Sequence, residues 1–185
     1  MTGMRLLLTV LLAANAIVAA SLAASAGEAD SEPGSPALQT VVGGSAQECH
    51  DYRGRAVATF RVTELGDVGR AGIVAQTPFI MLDEEILRRL PDKLQIFFYL
   101  HECGHLTLGH WMNYAPDHEN EADCWAIRRG RDRRLFSRQE VVDFAPWLAQ
   151  SRGDAFGHPP GPERSRRLVT CFDEPPQPGA TMAAQ

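Results

Sequence analysis

The chain has 185 residues, 18 of them Lys or Arg and 23 Asp or Glu, with a formal net charge of −5. That length allows one modest hydrophobic core and not two. The acidic balance gives nucleic-acid binding little support, because a polyanion calls for a basic surface.

Residues 1–26 read as a secretory signal peptide. Arg5 supplies the positive start, residues 6–20 the apolar core, and Ala24-Ser25-Ala26 a small-x-small cleavage site. The apolar run nearly reaches the ~20 residues of a membrane span, so an uncleaved anchor is the alternative. Either way the remainder is expected outside the cytoplasm, periplasmic or secreted. Residues 27–44, rich in Gly, Pro, Ser and Ala, read as a flexible leader. Residues 45–173 read as one folded domain, and residues 174–185 as a disordered tail.

Cys49, Cys103, Cys124 and Cys171 form an even set in an exported chain, which implies two disulfides with three possible connectivities. Cys103–Cys124 with Cys49–Cys171 is the favoured pairing, because Cys103 and Cys124 lie on two segments expected to converge. Residues 56–62 alternate as a half-buried strand, Ala58, Phe60 and Val62 on one face and Thr59 and Arg61 on the other. Residues 66–72 form a turn-rich link. Residues 73–82 read as a second strand, which Pro78 places at a sheet edge. Such an edge offers free backbone groups to an extended peptide; an ordinary edge strand is the equal alternative. A short helix with an acidic start covers residues 83–90.

Pro91 and Asp92 open the next helix, which is expected to run to about Met112. It carries the chemistry. His101 and His105, four apart, share one helix face and can bind one metal ion. Glu102 beside them can take a proton from water, completing a His-Glu-x-x-His zinc-hydrolase signature. Two surface histidines on an amphipathic helix are the bland alternative. The apolar run 94–100 argues against it, since buried histidines need partners. Gly104 costs a helix about 1 kcal/mol relative to alanine, so it marks the close approach of another backbone or a substrate. On a continuous helix His110 lies about 140° round from His105, which removes it from the same ion and gives it a buried, hydrogen-bonded role. Tyr99, Trp111 and Tyr114 are candidates to line a cleft or to pack in the core.

A metzincin would need Gly and His where this chain has Leu108 and Trp111. A helix over residues 116–129 instead brings Glu119 and Asp123 to one face. Glu119 completes the metal site, and Asp123 accepts the outer N–H of a ligating histidine. Three protein ligands and one open position form the catalytic zinc pattern. Further on, Arg128, Arg129, Arg131, Arg133 and Arg134 read as a solvated helix end, with contact to an acidic membrane surface as the alternative. Ser137 and Glu140 make a capping box at the start of another helix. Residues 151–160 form a loop bearing His158, and Pro162 opens a last helix through Cys171.

His101-Glu102-x-x-His105-x-x-x-Gly109-His110, followed by Glu119-x-Glu121-Ala122-Asp123 and by His158-Pro159-Pro160-Gly161-Pro162-Glu163-Arg164, resembles the gluzincin peptidases of the HtpX and CAAX prenyl protease type. The resemblance covers residues 71–168. It implies a zincin-like α+β domain with a small mixed or antiparallel sheet on the zinc helix and a second, glutamate-bearing helix. In BepA-like soluble members it implies a histidine, here His158, that can cap the zinc. Only fourteen positions separate His105 from Glu119, a spacing closer to the ImmA/IrrE-type peptidases, and the membrane helices of HtpX have no counterpart.

The expected activity is hydrolysis of peptide bonds in a polypeptide substrate, dependent on one zinc ion held by His101, His105 and Glu119. Glu102 is the general base, and His158 is an oxyanion donor or a resting-state latch. Arg164 has two readings, a partner for a carboxylate or a surface residue. A non-catalytic zinc-binding chaperone or protein-binding module is the main alternative, and a structural zinc closed by His158 is a third.

Overall fold

In the computed structural model, which describes residues 39–112, 115, 117–150 and 160–175, a hairpin comes first. β1 (Thr40–Val42) pairs antiparallel with β2 (Ser45–Gln47) across Gly43-Gly44, whose φ angles of 53° and 69° suit a two-residue hairpin turn. A Cβ on Gly43 would stand 2.2 Å from the Asp92 carbonyl oxygen, so the turn is pressed against the chain at Asp92 and only glycine fits. β1 thus lies inside the stretch that composition marks as leader. The signal and the tail beyond Pro175 fall outside the described residues.

The main sheet has the order β3–β5–β4. β3 (Ala58–Val62) runs parallel to β5 (Thr77–Asp83), and β4 (Gly69–Val74) runs antiparallel to it. Where the sequence suggests a link and a single edge strand, the chain therefore forms a hairpin. Its turn, Ala75-Gln76, has φ angles of 47° and 67°, a conformation that Asn or Gly ordinarily signals. Neither residue is there. β5 becomes the central strand and the edge passes to β4. β3 pairs with β5 only from Phe79 onward, so Pro78 sits beyond the end of that ladder.

The inward face of β3 is also the reverse of the expected one. Val57 just before it is fully buried, Thr59 meets Tyr99, and Phe60 is 53 % exposed. Arg61, on the same side as Thr59, is exposed and donates to the Val41 carbonyl. Alternation defines two faces; which one the core takes depends on what packs there.

Asp83 ends β5 and caps α1 (Glu84–Leu87), accepting from the N–H groups of Glu85 and Ile86 and from that of Leu65. α2 (Asp92–Leu108) is the axis of the core, with Leu94, Ile96, Phe97, Tyr99, Leu100, Cys103 and Leu106 all buried. It stops at Gly109, whose φ of 76° is a left-handed cap, earlier than the expected Met112. A 3-10 turn, His110–Met112, follows.

α3 (His118–Asp132) packs along α2. At Gly104 an added Cβ would lie 3.3 Å from the Ala122 Cα, which is the close backbone approach that glycine implies. α4 (Arg138–Leu148) opens with the Ser137–Glu140 capping box. α5 (Gly161–Asp173) packs on α3 and α4. The described residues therefore form one α+β domain, five helices with a two-stranded and a three-stranded sheet.

The disulfides differ from the favoured pairing. Cys49 bonds Cys103, with Cα atoms 5.7 Å apart, and Cys124 bonds Cys171 at 5.1 Å. The helices α2 and α3 do lie side by side, but Gly104 and Ala122 occupy their crossing. Cys103 faces the segment before β3, and Cys124 faces α5. Two disulfides fit an oxidising, exported location, and no helix among the described residues is long and apolar enough to cross a membrane. The basic cluster makes internal contacts as well: Arg131 donates to the Phe172 and Glu174 carbonyls, Arg128 pairs with Glu174, and Arg133 donates to Gln47.

Candidate metal centre

The α2/α3 contact brings the four-residue repeats of the two helices face to face. His101 Nε2 lies 3.1 Å from His105 Nε2. Glu119 sends one carboxylate oxygen to within 3.2 Å of His101 Nε2 and the other to within 3.3 Å of His105 Nε2. A tetrahedral ion with bonds of about 2.0–2.1 Å has ligand–ligand edges of about 3.3 Å. The three side chains therefore present donor atoms at the spacing one small ion requires, and they form a group that could hold a metal ion.

Charge points the same way. Glu102, Glu119 and Asp123 bring three formal negative charges to a largely buried cluster, against the single positive charge of Arg164. With neutral imidazoles the cluster lacks two positive charges, the charge of a divalent cation. Burial disfavours a proton on His101, yet the adjoining carboxylates of Asp123 and Glu119 outweigh burial and raise its pKa to about 10. Burial likewise works against ionised Glu119, and His101 and His105 overcome it and lower its pKa. Positive charge placed between these groups is thus favoured despite their burial.

Asp123 is fully buried and holds the outer side of His101, its Oδ1 2.9 Å from His101 Nδ1. The carboxylate accepts from His101 Nδ1–H, which turns Nε2 toward His105 and Glu119. Asp123 is itself gripped by Arg164 of α5, whose Nε donates at 2.8 Å and Nη2 at 2.7 Å. Burial opposes the Asp123 charge, but Arg164 and His101 prevail and bring its pKa to about 2. Of the two sequence readings of Arg164, the structure selects the carboxylate partner, buried to 4 % exposure.

Glu102 stands beside His101 and is largely buried. The first residue of β4 passes over it: a Cβ on Gly69 would fall 2.9 Å from Glu102 Cγ. The Glu102 side chain therefore packs against the face of β4 at its first residue, where a larger residue would displace it. Tyr99 does not line a cleft. It is completely buried, and burial pushes its phenol up to about 12. His158 and Tyr114 lie outside the described residues.

His110 is buried as expected, by a different geometry. Because α2 ends at Gly109, the 3-10 turn carries His110 back to His105, Nδ1 to Nδ1 at 3.0 Å, and its Nε2 lies 3.0 Å from Glu121. Burial, then the neighbouring His105 and His118, hold His110 down to about 4, so it stays neutral. Glu121 enters the sequence reading only within the quoted motif and His118 not at all; Glu121 is two residues from both Glu119 and Asp123, off the face that their spacing marks.

No protein-family model, no curated protein and no solved structure matches this chain.

Proposed function

We propose that the chain is an exported zinc metallopeptidase of the gluzincin kind, cleaving polypeptide substrates. The observation that carries this reading is the convergence of His101, His105 and Glu119 donor atoms at 3.1–3.3 Å with Glu102 on the adjoining helix position. When bound there, zinc supplies Lewis acidity, which polarises a carbonyl and makes a water more acidic.

The protein's own groups do the rest. Asp123, backed by Arg164, keeps His101 in the ligating tautomer. Glu102 takes the proton of the attacking water and returns it to the leaving amine as the peptide bond breaks. The outer edge of β4, which pairs with no other described strand, supports an extended peptide by backbone hydrogen bonds, and the missing side chain of Gly69 lets Glu102 pack against the start of that strand. On sequence grounds His158 is the remaining candidate for the oxyanion donor or latch.

The test is cleavage of an unfolded protein such as casein by the purified chain, beside Glu102→Gln, with zinc measured on both. Glu102→Gln is expected to keep its zinc and lose roughly 100-fold or more of the activity. Equal activity in the two proteins, or no cleavage by zinc-loaded wild type and His158→Ala alike, rules out this mechanism and leaves a zinc-binding module.

A further inference from the structure

Beside the centre lies a second group of ligand atoms, from His110, His118 and Glu121, all within 4.8 Å of one another. His110 Nε2 and a Glu121 oxygen already converge at 3.0 Å. The His118 ring lies parallel to that of His110, 4.1 Å away with 6° between planes. His110 is buried, His118 half-buried and Glu121 exposed, so the group opens from the core to solvent. Imidazole and carboxylate donors suit zinc and its borderline neighbours. The two groups touch through the 3.0 Å contact between His105 Nδ1 and His110 Nδ1.

That contact holds one proton when both rings are neutral. With the proton on His105, His105 Nε2 is bare and can ligate the inner ion. His110 then accepts at Nδ1 and keeps its own proton on Nε2, donated to Glu121. With the proton on His110, the roles exchange: His110 Nε2 is bare, and His105 carries its proton on Nε2. In passing between the states, the shared proton moves from His105 to His110. His110 releases its Nε2 proton to Glu121 or water, and His105 takes one from water, so each ring still bears one.

We propose that His110, His118 and Glu121 form an outer site for a divalent ion of the zinc class, antagonistic to the inner site through this shared proton. His118, the first residue of α3, turns out of the stack to bring its lone pair to the ion. The outer site stands on its own residues; the antagonism rests on the inner-site reading above.

The experiment is titration of the metal-free full chain with Zn2+, followed by native mass spectrometry and calorimetry. A His101→Asn/Glu119→Gln variant removes two inner ligands and leaves His105 in place. It is expected to bind one Zn2+, and to lose it on addition of His118→Ala or of the isosteric, exposed Glu121→Gln. In wild type the second Zn2+ should bind roughly 10-fold or more weakly than this outer ion does in the double variant. Imidazole 15N shifts should show His110 protonated on Nε2 in wild type with one Zn2+, and on Nδ1 in the zinc-loaded double variant. A double variant that takes up no more Zn2+ than its His118→Ala derivative overturns the outer site. Equal outer affinity in both proteins overturns the antagonism. A first wild-type equivalent that ignores His101→Asn/Glu119→Gln but is lost in His118→Ala supports the outer site and sinks the inner one.

Discussion

Asp123 orients the candidate centre from behind His101. Its carboxylate orients His101 and is neutralised by a two-pronged Arg164 contact. Asp123→Asn keeps the volume but lets the amide present N–H where an acceptor is needed, so zinc affinity should fall about 10–100-fold. Arg164→Gln leaves the Asp123 charge buried without its partner, which should cost about 3–5 kcal/mol of stability. Competition with a chelating dye reads the first effect and denaturant unfolding the second; wild-type affinity in Asp123→Asn would discard the orienting role. Asp51 poses a separate electrostatic case away from the centre. Burial acts to raise its pKa, but the Arg55 side chain and the N–H groups of Arg55 and Arg53 hold it below the ordinary carboxylate value. A folded-state pKa below the unfolded one adds stability above about pH 4 that disappears as pH falls through the folded value. Wild type should therefore lose stability on acidification below about pH 4 more steeply than Asp51→Asn. Melting curves of both proteins in chelator between neutral and acid pH test it, and parallel curves would contradict it.

One disulfide fastens α2 to the segment before β3 and the other joins α3 to α5, and the consequences should differ. Cys49–Cys103 closes 54 residues and Cys124–Cys171 closes 47, and loop-closure entropy assigns each about 4 kcal/mol. The segment at Cys49 has further ties to α2, since Tyr52 N–H donates to the Leu106 carbonyl and the Thr107 hydroxyl to the His50 carbonyl. Cys171 lies two turns along α5 from Arg164, so its bridge also steadies the grip on Asp123. Replacing Cys124 and Cys171 by serine should therefore weaken zinc binding more than replacing Cys49 and Cys103. The pairing itself was not legible, because helical period places cysteines on a face but does not say what faces them. The four-residue repeats of His101/His105 and Glu119/Asp123 were legible, since a helix converts spacing into geometry directly. So was Gly104, whose propensity cost had to have a cause. The hairpin β4–β5 left no mark because Ala75-Gln76 takes a turn conformation without turn residues. Arg164 stayed ambiguous because its partner comes from another element, and Glu121 gave no signal because its partner sits in a turn that begins where α2 ends.

Across the whole molecule the covalent and metal-binding links divide the work. Cys49–Cys103 binds the N-terminal segment to α2, and Cys124–Cys171 binds α3 to α5. Neither disulfide crosses from α2 to α3. The candidate centre does, with His101 and His105 from α2 and Glu119 from α3. Without a cation, Glu119, Asp123 and Glu102 meet across that contact with only Arg164 and a proton on His101 to offset them. A bound ion should thus act as the third cross-link of the fold. An ion at about 1,000 times its dissociation constant stabilises the folded state by about 4 kcal/mol. Removing it with a chelator should lower the melting temperature of wild type, and readdition of Zn2+ should restore it. His101→Asn/Glu119→Gln should melt at one temperature with or without chelator, provided His118→Ala is added to silence the outer group. The loss should appear first as exchange of α3 and α5 amides, because α2 keeps its disulfide to the N-terminal segment and its place against the sheet. If chelator leaves the wild-type melting curve unchanged while zinc is demonstrably removed, the ion contributes nothing to joining the two helices, and their contact at Gly104 and Ala122 holds them alone.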